Sequence, residues 1–171
     1  LLSRAGDYPD GARVGMVRAL TQAAGGAGMA AGQMQDMAAH GQLQDVAALE
    51  RMHYLKTGRL ITASLTLGYL AAGRPDAELA RNLTAYGDAI GLAFQIQDDI
   101  LDVTQSSERL GKTAGKDVAV QKATYPSVVG LAKSQKIAAK LTAKAFAALK
   151  PFNGQAVALE ALADYLLTRD H

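Results

Sequence analysis

Phe94-Gln95-Ile96-Gln97-Asp98-Asp99-Ile100-Leu101-Asp102 sets three carboxylates within five residues of an otherwise largely apolar run. At about 100° per residue, a helix carries Gln95, Asp98, Asp99 and Asp102 on one narrow face, with Gly91 and Asp88 on the same face in the preceding turns. Ile90, Ala93, Phe94, Ile96, Ile100 and Leu101 take most of the remaining circumference. A solvated helix has a broad polar face of mixed sign, whereas this is a thin acidic stripe on a helix that demands burial nearly all round. Like charges at i,i+4 repel by roughly 0.2–0.5 kcal/mol when exposed, and by more where the effective dielectric is low. A cation against the stripe relieves that repulsion. Hard oxygen donors with no His or Cys nearby point to Mg²⁺ or Mn²⁺ rather than zinc. The bland alternatives are an N-terminal helix turn enriched in Asp and a plain exposed face.

Around this stretch the composition is that of one helical domain. The chain has 171 residues, of which 49% are hydrophobic but only 5% aromatic. That is enough for a real core, and abundant Ala favours helices packed closely through small side chains. Pro is scarce, at four residues, and Val, Ile and Thr form no alternating runs. The formal charge of +2 is too near neutral to argue for nucleic acid. Eight of the nine lysines fall at or after Lys112, just past the acidic stripe, while seven of the nine arginines precede Ala85. Absence of Cys excludes disulfides and thiolate metal sites. No uncharged apolar stretch is long enough for a membrane span, and the opening residues do not read as a signal peptide, since no basic region precedes a long apolar segment. The chain also has no initial Met and opens in mid-pattern.

Taken in order, Tyr8-Pro9-Asp10-Gly11 reads as a turn with Asp10 as N-cap. A helix follows with Val14, Val17, Ala19, Leu20 and Ala23 as its apolar set, ending at Gly25-Gly26. In Gly28 to Met37 the small residues suit a tight helix crossing, and Gln33 and Asp36 share a face. From about Val46 to Ala72 the pattern is one long helix interrupted by Lys56-Thr57-Gly58. A glycine there costs about 1 kcal/mol relative to Ala. It either opens room for an anion beside Lys56 and Thr57 or packs against another helix. His53 reads as a packed or surface histidine. Gly73-Arg74-Pro75-Asp76 is a turn and N-cap, and the helix from about Asp76 to Val103 spans about 42 Å at 1.5 Å per residue. Ser106 to Asp117 is a loop by composition, with two glycines and three basic side chains that suit a multiply charged anion. Pro126 begins a further helix. Lys136, Lys140 and Lys144 form an i,i+4 stripe that is a solvated outer face, and Ala156 to Leu167 is a last helix with Leu159, Leu162, Leu166 and Leu167 as core. Together these elements make an α bundle.

The string Gly91-Leu92-Ala93-Phe94-Gln95-Ile96-Gln97-Asp98-Asp99-Ile100-Leu101-Asp102 resembles the second aspartate-rich motif of the trans-isoprenyl (polyprenyl) diphosphate synthases. Gly111-Lys112-Thr113-Ala114-Gly115-Lys116-Asp117, followed by Lys122-Ala123-Thr124-Tyr125-Pro126, is similar to the next segment of bacterial farnesyl and geranylgeranyl diphosphate synthases. Lys56-Thr57-Gly58, Gly32-Gln33 with Asp36, and Ala158 to Tyr165 stand in the family's order, so the resemblance covers essentially the whole chain.

The resemblance implies an all-α helical bundle of the isoprenoid synthase type around a deep central cavity. It also implies a cytoplasmic homodimer that condenses isopentenyl diphosphate with an allylic diphosphate, head to tail, to farnesyl or geranylgeranyl diphosphate. By the same resemblance, Asp98, Asp99 and Asp102 hold Mg²⁺ (Mn²⁺ being the other fit) against the allylic diphosphate. Lys56, Lys112 and, more weakly, Lys122 neutralise its oxygens, and Gln33 and Asp36 lie near the head group. Thr57 and Gln95 turn their oxygens to the allylic cation, Arg169 shields the second diphosphate, and the leaving diphosphate accepts the proton.

Only one DDxxD motif occurs in the sequence, whereas the family carries a first one on an earlier helix. Residues 1–171 are therefore expected to be the C-terminal part of a single such domain, with the N-terminal helices and their aspartates absent, and to be inactive alone. Three other readings share some of these features. They are a class I terpene cyclase, a non-catalytic subunit of a prenyl synthase heteromer, and a plain helical interaction bundle.

Overall fold

Two carboxylates start helices where the sequence turns from polar to periodic. Asp45 Oδ1 accepts the Ala48 N–H at 2.8 Å, and Asp76 Oδ1 accepts those of Glu78 and Leu79 at 2.9 and 3.0 Å. Each bond satisfies a donor that the first helical turn cannot pair internally. The computed structural model describes residues 6–39, 45–73, 76–110 and 123–168. In chain order it contains α1 (Asp10–Ala24), α2 (Met29–Ala38), α3 (Val46–His53), a π-helical turn (Tyr54–Gly58), α4 (Arg59–Ala71) and α5 (Ala77–Leu110). Then come α6 (Tyr125–Val129), α7 (Leu131–Leu149), a 3₁₀ turn (Lys150–Phe152) and α8 (Val157–Thr168). No strand occurs among the described residues, as the all-α reading requires.

The other helices are arranged about α5. It packs most extensively against α7, next against α4, and also meets α3, the π turn, α6 and α8. Its inner residues serve two cores. Tyr86, Ala89 and Ile90 pack with Ala145, Ala148 and Leu149 of α7 and with Ala156 and Ala163. Ile96 and Ile100 pack with Leu49 and Met52 of α3, Tyr125 of α6 and Ala138 of α7. The alanines at these crossings let helix axes approach closely while still burying apolar surface, which is how a domain poor in aromatics fills its interior. The outer face of α7 carries Lys136, Lys140 and Lys144, all exposed, as the stripe predicts.

Several local expectations change. At 34 residues, α5 runs through Ser106–Leu110, which composition assigns to a loop. Glu108, Arg109 and Leu110 are good helix formers, and no Gly or Pro intervenes before Gly111. Asp10 is the first helical residue rather than the cap, and its carboxylate pairs with Arg13. Of the apolar set of α1 only Ala23 is buried, together with Met16; Val14 is 68% exposed, and Val17 and Leu20 are also exposed. The long helix before Ala72 is broken by the π turn, and Gly130, at φ 84°, separates α6 from α7. In α8 Ala163 is fully buried, and Leu162 is exposed. Among the described residues no helix is long and apolar enough to cross a membrane.

Candidate functional site

Lys56 and Thr57 sit on the π turn, where one extra residue per turn widens the backbone. Two helices reach that turn through glycine. A Cβ built at Gly32 of α2 would stand 2.2 Å from Lys56 N and 2.6 Å from Lys56 Cα, so α2 crosses there backbone to backbone. One turn further along α2, Asp36 Oδ2 accepts a charged hydrogen bond from Lys56 Nζ at 2.5 Å, with both side chains partly buried. On the opposite side, a Cβ at Gly91 of α5 would lie 2.9 Å from Gly58 Cα. Gly58 is thus buried as a helix-packing glycine and does not open room for an anion. The small residues of α2 serve the crossing, as their spacing suggests.

The close approach of α5 sets its register against the π turn and α4. Thr57 Oγ1 donates to Gln95 Oε1 at 2.5 Å, and Thr62 Oγ1 donates to Asp88 Oδ1 at 2.9 Å. The two elements therefore run antiparallel, with bonds from one face of α5 two turns apart. Asp98 and Asp102 continue that face, about 4.5 and 10.5 Å along the axis beyond Gln95. Asp98 is half-buried and Asp102 exposed.

Asp99 departs from the expected arrangement. It is 3% exposed, and its Oδ2 accepts the Tyr125 N–H at 2.9 Å and lies 3.9 Å from Nε2 of buried His53. The arc from Asp98 to Asp99 is about 100° wide, and its two edges face different surroundings. The three aspartates therefore do not share one narrow face: Asp98 and Asp102 form one side, and Asp99 turns into the bundle. Among the described residues no group of three or more His, Cys, Asp or Glu side chains could hold a metal ion.

The remaining candidates divide simply. Gln33 is exposed on α2, beside the crossing but outside the Lys56–Asp36 pair. Lys112, Lys122 and Arg169 lie outside the described residues. Helical periodicity carries no sign of the cluster of His53, Asp99 and Tyr125. Its rings stand 5.8 Å apart between centroids at a 48° tilt. Burial, with the Glu50 carboxylate near its hydroxyl, pushes the Tyr125 phenol well above the usual range. A local signal does exist at Thr124-Tyr125-Pro126-Ser127, a reciprocal cap in which Ser127 N bonds Thr124 Oγ1 and Thr124 N bonds Ser127 Oγ.

Residues 3–162 match the Polyprenyl synthetase family. The chain belongs to that family. Its relatives include the farnesyl diphosphate synthase of Escherichia coli, 44% identical over 167 residues, which cover 96% of this chain and 56% of that protein. A dimethylallyltranstransferase of Fischerella ambigua is 47% identical over 154 residues, covering 89% of this chain and 44% of the other. The crystal structure of a geranyltransferase from Helicobacter pylori, complexed with magnesium and isoprenyl diphosphate, matches 97% of this chain and 54% of its own at TM-score 0.77 and 32% identity. This polyprenyl synthetase chain thus spans about half the length of the relatives it matches.

Proposed function

We propose that this chain carries one side of a diphosphate clamp in a prenyltransferase that condenses isopentenyl diphosphate with an allylic diphosphate, giving a short prenyl diphosphate of the farnesyl or geranylgeranyl type. The observation that carries this reading is the Thr57–Gln95 bond at 2.5 Å. It docks the Lys56-bearing turn against the helix face that continues into Asp98 and Asp102.

The donor set fits magnesium. Mg²⁺ takes hard oxygens, keeps several waters, and is commonly held by one or two carboxylates together with substrate phosphates rather than by an all-protein cage. Asp98 and Asp102 are the residues that would hold it. When bound, the ion supplies neutralisation of the charge that develops on the departing diphosphate. Lys56 adds a positive charge to the same oxygens, and Asp36 keeps its ammonium on that side of the π turn until a diphosphate competes for it. Thr57 and Gln95 offer oxygen lone pairs to the allylic carbocation left when the C–O bond breaks. The terminal methylene carbon of isopentenyl diphosphate then bonds to that carbon. That bond leaves a tertiary cation at C3 of isopentenyl diphosphate, and loss of a proton from its C2 to the diphosphate leaving group re-forms a double bond, which balances the reaction. Lys112, Lys122, Arg169 and Gln33 belong to the same proposal as contacts to the two diphosphates. So do assembly as a homodimer, a cytoplasmic location, and the need for further carboxylates beyond these 171 residues before turnover occurs.

Calorimetric titration with geranyl diphosphate, with and without Mg²⁺, tests the reading. Binding is expected only with Mg²⁺, and Asp98→Asn should weaken it at least tenfold, which corresponds to about 1.4 kcal/mol. Binding indifferent to both Mg²⁺ and Asp98 would overturn it.

A further inference from the structure

The second aspartate of the acidic stretch does different work from its neighbours. Asp99 is 3% exposed, and among the described residues one of its oxygens meets two buried partners: the Tyr125 N–H at 2.9 Å, and His53 Nε2 at 3.9 Å. His53 belongs to α3, Asp99 to α5 and Tyr125 to α6, so one carboxylate joins three elements. The tilted rings of His53 and Tyr125 close around it, and Tyr125 itself is fully buried. Hydrated Mg²⁺ demands near-ideal octahedral geometry and keeps several waters, which a carboxylate sealed in this way has no surface to accommodate. An exposed Asp102 and a half-buried Asp98 do.

We infer that Asp99 is a positioning residue that pins the first turn of α6 and the end of α3 to the metal-facing turn of α5, and that it is not a ligand of the metal. The division of labour follows from helix geometry. Asp98 and Asp102 stand about 100° and 60° around the axis from Asp99, so anchoring Asp99 inward fixes the rotation at which the other two face out. The Tyr125 bond also fixes the start of α6, which in the sequence follows the segment carrying Lys112 and Lys122. Thr124 and Ser127 cap the same turn reciprocally, so its start is held both from within α6 and from α5. An amide oxygen can replace a carboxylate oxygen as acceptor of the Tyr125 N–H, but it is a far poorer ligand for Mg²⁺. This contrast separates the two roles. The metal half of the inference rests on the diphosphate reading of Asp98 and Asp102; the anchoring half does not.

Asp99→Asn, Asp99→Ala and Asp98→Asn, each made in the whole chain, test both halves. Magnesium-dependent binding of inorganic pyrophosphate is measured by calorimetry, and hydrogen exchange at the Tyr125 amide is measured in metal-free buffer. Asp99→Asn should bind within about threefold of the parent chain, while Asp98→Asn loses at least tenfold. Tyr125 protection should survive in Asp99→Asn and fall at least tenfold in Asp99→Ala. Loss of helical circular dichroism in an Asp99 variant alone, without metal, also supports the positioning role, because deleting a ligand leaves the metal-free fold intact. The inference is overturned if Asp99→Asn loses binding as severely as Asp98→Asn while Tyr125 protection is unchanged, or if Asp99→Ala leaves that protection intact. Should the parent chain bind no magnesium pyrophosphate, the diphosphate reading falls, and the exchange arm still decides whether Asp99 anchors α6.

Discussion

Thr57 donates its only hydroxyl proton to Gln95 Oε1, and that direction fixes what the pair can offer a third group. A hydroxyl has one donor and two lone pairs; with the proton committed, Thr57 Oγ1 is an acceptor only. An acceptor pair suits a carbocation and does little for a neutral alkyl group. Thr57→Val keeps the shape and removes the oxygen. It should weaken an ammonium analogue of the geranyl cation, bound as its diphosphate, by roughly tenfold or more, the size of a hydrogen bond to a charged group. Geranyl diphosphate itself should change less than threefold. Equal losses for the two ligands in competition binding would refute the assignment. Lys56, Thr57 and Gln95 were legible as a set because each announces itself locally: a Lys-Thr-Gly in a helical run, and an amide one turn before paired aspartates. The separate fate of Asp99 was not legible. Helical periodicity counts its arc with Asp98 and Asp102, and what divides them is Tyr125, 26 residues away.

Among the elements, the π turn is where sequence and structure part most clearly. Val46 to Ala72 has the periodicity of one helix, and Lys56-Thr57-Gly58 marks an interruption in it without specifying a widened turn at Tyr54–Gly58. The cause lies in the neighbours, since α2 and α5 both press glycine against that backbone. Gly32 and Gly68 make a matched test. At Gly32 a Cβ would meet Lys56 N at 2.2 Å, whereas at Gly68, itself exposed on α4, nothing lies within 4 Å. Gly32→Ala must push α2 off the turn, and overpacking of this kind costs about 1–3 kcal/mol. The melting temperature should therefore fall by roughly 3–10 °C in a domain of this size. Gly68→Ala removes only helix-interior glycine entropy and should stabilise by about 0.5–1 kcal/mol, raising the melting temperature by a few degrees. Thermal denaturation of the two variants side by side checks the sign of each, and a stabilising Gly32→Ala would contradict the crossing.

Across the whole molecule, the two cores are joined by α5 and sealed by buried tyrosines, and this sets an alkaline limit on stability. Tyr86 is 1% exposed, and its hydroxyl donates to Leu159 O at 2.7 Å, tying α5 to α8. Burial raises its phenol from 10.0 to about 12, and Tyr125 is pushed further in the same direction. Below pH 10 both tyrosines are neutral, folded or unfolded, and contribute no pH dependence. Above pH 10 the unfolded chain ionises them and the folded chain does not, so the unfolded state binds fewer protons and stability falls as pH rises. Each tyrosine contributes a slope of up to about 1.4 kcal/mol per pH unit. For Tyr86 the loss ends near pH 12, after a total of roughly 2–3 kcal/mol. Tyr86→Phe removes the bond to Leu159 and should cost about 1–2 kcal/mol at pH 7. It also removes the share of the alkaline loss that Tyr86 carries. The gap between parent and variant should therefore shrink above pH 10 and close or reverse by pH 12, a trend that urea unfolding at a series of pH values would show. A gap that stayed constant over that range would mean that Tyr86 is not held neutral between α5 and α8.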